Sequence, residues 1–272
     1  MRGGGPPRAW MAFALSIGSA TACSPAPSSA PATASAQPAP ETVEAAIVEA
    51  FAALARPEID DPYEELFVDL AHRRFGRPEG ATAMADYAMK TTEPPQPDKR
   101  LMARWGNAAL PFDGAAIAAM ERSNSNRGLL EAMYCKQQPI PSDYAAYARD
   151  AIAKGSYDLT HVLIGYAFAK EAGCAYPLPK EEVEAMVQTT AAMLPGTAMT
   201  DLQLEAVLVL AWAGRRDLLP SDLAERILAS QWHNGGWAFN LKSKVADGHA
   251  TMLALNLLLE LTAKPRGPVV AR

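Results

Sequence analysis

Two histidines and a glutamate recur at a fixed interval in the second half of the chain: His161, Glu205 and His249 stand 44 residues apart in turn. Imidazoles and a carboxylate facing one cavity can move protons as general acid and base, or hold a ligand through hydrogen bonds. Asn126 falls in the same slot when the register is carried back from Ile140-Pro141 by the spacing that separates Glu205 from Leu219. Asp158 lies one turn ahead of His161. Three positions after each slot member the residue is apolar, as Leu129, Ile164, Leu208 and Met252 show, so the slot keeps a constant place beside a core stripe. Asn126, Asp158, His161, Glu205 and His249 are therefore the candidate site. The competing reading is that each group caps or props neighbouring helices inside a solid core. No His-x-x-x-His or Glu-x-x-His pair occurs within one helix, so no metal is expected. Without a Gly-x-Gly-x-x-Gly or P-loop, no nucleotide cofactor is expected either.

The elements that must position these groups are helices. Apolar residues make up 49% of the 272-residue chain, with much alanine and few β-branched residues, which favours helix over sheet. From Glu41 on, about twelve helical segments are expected: 42–56, 60–74, 80–91, 97–108, 112–122, 126–137, 142–153, 157–171, 179–194, 199–213, 220–231 and 247–262. Four of them open on one punctuation, an aliphatic residue, a proline, and an acid two positions later: Leu110-Pro111 with Asp113, Ile140-Pro141 with Asp143, Leu178-Pro179 with Glu181, and Leu219-Pro220 with Asp222. Proline is tolerated in a first helical turn, and an acid there meets the positive end of the helix dipole. The recurrence predicts helical-hairpin repeats, an all-α fold of (α/α)6-like toroid or partial toroid, with inner helices around a funnel. Phe168 and Trp212, seven positions beyond their slot members, would stack on a sugar, line a lipid pocket, or serve as plain core.

One segment resembles a known motif. Gln231, Gly235, Gly236 and Trp237 are similar to the QW motif of the terpene cyclase and prenyltransferase toroids, and Asp247 to Leu255 looks like the inner helix that follows it. The resemblance implies that Gln231 caps the next helix and Trp237 packs between repeats. It does not imply cyclase or transferase chemistry, because the Asp-x-Asp-Asp acid motif, the prenyltransferase zinc set and the thioester signature are all missing. Polysaccharide lyases and hydrolases on similar toroids use Asn, His, Tyr and carboxylate sets, and Tyr157 and Tyr166 lie close to His161.

The N-terminus points to export. Arg2 and Arg8 precede a short apolar run, and Thr21-Ala22 lead into Cys23. This resembles a lipoprotein lipobox, with Ala20 where that family prefers leucine. It implies a signal peptide at 1–22 and lipidation (palmitate or similar) at Cys23, with outer-membrane placement implied by Ser24; an ordinary secretory signal is the alternative. Residues 23–40 have no charge and no large aliphatic side chain, which predicts a disordered Pro/Ala/Ser tether of on the order of 50 Å. The repeat domain is expected at 41–264 and a disordered tail at 265–272. Losing Arg2 and Arg8 leaves 23 basic against 30 acidic residues, a net of −7, which disfavours nucleic acid as a partner. Cys135 and Cys174 fall near the ends of successive inner helices and are candidates for a disulfide in an oxidising compartment; two buried free thiols are the alternative. The expected function is an envelope binding or scaffold module for a glycan, lipid or protein partner, alternatively a carbohydrate-active enzyme.

Overall fold

A computed structural model describes residues 39–56, 62–80, 111–194, 199–243 and 245–270. Cys23, the signal and most of the tether lie outside them, as do the segments expected at 80–91 (beyond residue 80) and 97–108. The described chain is all-helical, with ten α-helices and no strand: α1 (Pro40–Leu54), α2 (Pro62–Phe75), α3 (Gly114–Ala119), α4 (Ser125–Met133), α5 (Tyr144–Lys154), α6 (Ser156–Ala172), α7 (Lys180–Ala191), α8 (Asp201–Trp212), α9 (Leu223–Ala229) and α10 (Gly248–Thr262). None is long and apolar enough to cross a membrane.

Two classes of helix follow from the apolar pattern. In α8 nine of twelve residues are buried, and in α10 twelve of fifteen, because these helices are apolar around most of their circumference. In α7 only Met186, Val187 and Thr190 are buried, and in α9 only Leu223 and Ile227. The contacts sort the same way. The even-numbered helices form a succession in which α4 packs on α6, α6 on α8, α8 on α10, and α10 on α2. The helix α5 packs against α4 and α6, α7 against α6 and α8, and both α9 and α1 against α10.

The opening punctuation acts differently from expectation. Pro111, Pro141 and Pro220 precede the first helical turn rather than entering it, and Asp113, Asp143 and Asp222 take the N-cap position. Of the three, Asp113 caps through its side chain: its carboxylate accepts from the Ala116 amide at 2.9 Å, satisfying an end N–H that no helical carbonyl can reach, whereas Asp143 and Asp222 make no such bond. Only Pro179 abuts its helix, with Glu181 in the first turn.

At the far end of α6, Gly173 takes φ +71°, a left-handed conformation that glycine adopts at little cost, and the Cys174 amide bonds back to the Ala169 carbonyl. That turn brings Cys174 to Cys135, just beyond α4, and the two are joined by a disulfide. The C-terminus departs from expectation. Residues 265–270 do not form a disordered tail but an ordered strap: the Arg266 amide bonds the Arg74 carbonyl, the amides of Val269 and Val270 both reach the Glu171 carboxylate, and Val269 is buried. Composition hid this, because the strap is held largely through its main-chain groups, with the small side chain of Val269 buried beside them.

Candidate functional site

The slot members converge. A cavity of about 220 Å³ is lined by Asn126, His161, Glu205 and His249 at one level, by Leu129, Ile164, Leu208 and Met252 at the next, and by Phe168, Trp212 and Phe67 farther on. Its layering follows from helix periodicity: positions three and seven beyond each slot residue share one face, so four helices in a common register build matching rings.

Each polar group is set by a helix start. On α10 the Asp247 carboxylate caps the first turn through the Ala250 amide at 3.1 Å, and His249 projects from that turn. On α8 the Gln203 side chain accepts from the Thr200 amide at 3.0 Å, fixing the turn that carries Asp201, which is fully buried. Glu205 follows one turn later on the same face. Asp201 and His249 meet, with 2.7 Å between Oδ1 and Nδ1. Tyr157 donates its hydroxyl to the other Asp201 oxygen at 2.5 Å. Glu205 accepts from the Thr160 hydroxyl, and its two oxygens lie 3.8 Å from His161 Nε2 and 3.7 Å from His249 Nε2. The Nδ1 of His161 is buried with no hydrogen-bond partner among the described residues.

Asp201 went unnoticed in the sequence reading, although a signal was there. It precedes Glu205 by four residues, and it stands 44 residues after Tyr157, so the two occupy equivalent slots and bond to each other. Asp158, by contrast, does not line the cavity; its charge acts on Tyr147 and Lys154. Among the described residues no group of three or more His, Cys, Asp or Glu side chains is arranged to hold a metal ion.

The electrostatics favour a charged His249. Burial pulls its pKa down, but the Asp201 hydrogen bond and the charges of Asp201, Glu205 and Asp247 together outweigh burial and push it up to about 9. Burial and the Asp201 carboxylate also raise Tyr157 well above the ordinary phenol range, keeping it a proton donor. An imidazole whose Nδ1 is fixed by a buried carboxylate presents Nε2 to the cavity, where it can donate a hydrogen bond or a proton.

A pH dependence of stability follows. The folded His249 holds a proton that the unfolded chain releases near pH 6.5, so its stabilisation is complete below about 6.5, declines through the interval, and is gone above about 9. With the side chain 41% exposed, solvent screening reduces the contribution to about 1–2 kcal/mol. Urea unfolding of the native chain and of His249→Gln should therefore differ most near pH 6 and converge above about pH 9. A gap that stays constant across this range would show that the pair carries no such linkage.

Comparison with known proteins adds no relative. No family model, curated protein or solved structure matches this chain. The functional reading therefore rests on the site itself.

The QW-like segment is organised around Trp237. Its ring is fully buried and its Nε1–H donates to the Ile227 carbonyl at the end of α9, at 2.8 Å. Gln231 does not cap a helix end, as the resemblance implied. Its amide donates to the Gly235 carbonyl of its own turn and to the Ala46 carbonyl in the middle of α1. The segment thus fastens the α9–α10 connection to α1 and stands apart from the cavity.

Proposed function

We propose that the domain is a ligand-binding α/α toroid, or partial toroid, carried on an envelope protein that is anchored by lipid at Cys23. The toroid is supported by the succession of even-numbered helices from α4 to α10 and on to α2, with the odd-numbered helices beside them. The anchor is supported by the basic head, apolar run and small residues before Cys23; the mass of the mature N-terminal peptide tests it.

The observation that carries the binding reading is the layered cavity, a polar rim of His161, Glu205, His249 and Asn126 over aliphatic and aromatic walls. Since a 150 Å³ apolar cavity accepts benzene, 220 Å³ has room for roughly nine non-hydrogen atoms. Aliphatic walls cannot satisfy the hydroxyls of a sugar ring, and each unpaired one would cost roughly 1–3 kcal/mol. The lining therefore suits the apolar part of an amphiphile whose polar end meets the rim.

Titration calorimetry with 1-octanol tests this reading. The native chain should bind it, Leu208→Phe should block it by filling the aliphatic ring, and His161→Ala should weaken it with little change in melting temperature. If His161 is an internal prop, the alanine variant will instead lose about 1–3 kcal/mol of stability. A native chain that binds no octanol would refute the reading.

A second reading, acid–base catalysis on an envelope carbohydrate, is favoured by one feature: Asp201 holds His249 Nδ1 and leaves Nε2 facing the cavity near Glu205. Turnover of a polysaccharide that is lost in both Asp201→Asn and His249→Gln would establish it over simple binding.

A further inference from the structure

Four large apolar side chains stand exposed among the described residues, and three of them fall within seven positions: Phe239 at 44%, Leu241 at 73% and Val245 at 71%, with Val48 on α1 the fourth. The three lie on the connection between α9 and α10. Its base is pinched by an antiparallel bridge between Trp237 and Asp247, where the Asp247 amide donates to the Trp237 carbonyl at 2.7 Å. Its tip is shaped by Asn240, whose carbonyl accepts from the Ser243 amide and whose side chain accepts from the Lys242 amide. The result is a finger, described over residues 238–243 and 245–246, rooted on a buried indole and exposing three apolar side chains.

Its charge is one-sided. Residues 238–246 include Lys242 and no acid, and the sequence adds a second lysine at 244, outside the described residues. This one-sidedness contrasts with the acidic balance of the chain as a whole, −5 in formal charge. Apolar side chains interleaved with lysine match the bilayer interface, where the apolar groups enter the acyl region and the ammonium group reaches an anionic headgroup. A stable protein interface takes roughly 800 Å² from each partner, far more than three side chains at a narrow tip present. We propose that this finger inserts its tip into an anionic lipid surface.

The finger also has a fixed relation to the cavity. The Phe239 carbonyl accepts from the Asp201 amide at 3.1 Å, and the segment closing its base runs through Asp247 into His249. The finger is therefore bonded to the start of α8 and continuous with the start of α10, the two turns that carry Asp201 and His249.

The test uses the full chain carrying Leu241→Trp, mixed with vesicles of phosphatidylglycerol and phosphatidylcholine. Lipids brominated along the acyl chain should quench the added indole emission beyond the quenching of the unsubstituted chain. Lys242→Glu in the same background should reduce that quenching, and vesicles of phosphatidylcholine alone should do likewise. A chain that sediments with vesicles while its added indole stays unquenched overturns the finger and leaves the N-terminal anchor and the octanol result standing, since each is measured separately. Failure to sediment at all, or quenching indifferent to both Lys242→Glu and headgroup charge, also overturns the proposal.

Discussion

Glu260→Gln is expected to lower the unfolding free energy by about 3–5 kcal/mol, the loss typical when one partner of a buried ion pair is removed. Glu260 is 1% exposed near the C-terminal end of α10 and holds three elements at once. Its Oε1 accepts from Arg74 Nε of α2 at 2.5 Å and from Trp212 Nε1 of α8 at 3.2 Å, and its Oε2 from Arg216 Nη2 at 2.6 Å. Arg74 is only 13% exposed, so without the carboxylate its guanidinium stays in the interior with, among the described residues, the Gly267 carbonyl to bond. Glutamine keeps the shape but offers one acceptor in place of two and no charge. Guanidinium unfolding measures the loss. The surface pair Arg149–Glu182 supplies the contrast: both partners are exposed, and Glu182→Gln should leave the midpoint in place. Equal midpoints for native and Glu260→Gln chains would show that the buried carboxylate is dispensable.

Trp237→Ala is expected to cost a similar amount, about 3–5 kcal/mol, from the lost burial and the cavity left behind. The indole is among the largest fully buried side chains, and its removal also takes one of two donors from the Ile227 carbonyl, leaving it the Ser230 amide. The effect should be cooperative with the turn before it. Gly235 has φ +83°, and a Cβ there would come within 2.5 Å of the Glu49 carbonyl oxygen, so the turn and α1 are in close contact. Thermal unfolding would record the change as a lower midpoint with an unaltered helical spectrum before melting. Loss of helix already at low temperature would mean that the segment is needed to form the domain rather than to stabilise it.

How much of this was legible beforehand depended on whether a residue's place follows from periodicity. His161, Glu205, His249 and Asn126 came together because their register is a property of the repeat, and the apolar ring three residues later came with them. Asp158 shared a helix and a neighbourhood with His161, but one helical turn toward the helix start sufficed to leave it outside the cavity. Asp201 was missed because little in its own helix marks it, its importance coming from a histidine 48 residues away. The strap at 265–270 could not be inferred, since Glu171 and Arg74, which hold it, give no local sign that they reach the C-terminus. Gln231 kept its motif neighbours yet bonds the flank of α1, a contact fixed by long-range packing.

The meeting of the two ends has a consequence for how the chain is born. Helices α1 and α2 find their partner in α10, and Arg74 finds its carboxylate 186 residues later. Until the last stretch of polypeptide leaves the ribosome, the first two helices lack the face of α10 on which they pack, and contacts of such sequence separation form slowly. Synthesis therefore precedes completion of the core. A truncation that removes α10 would leave the first helices as prey for chaperones and proteases, however intact the remaining sequence.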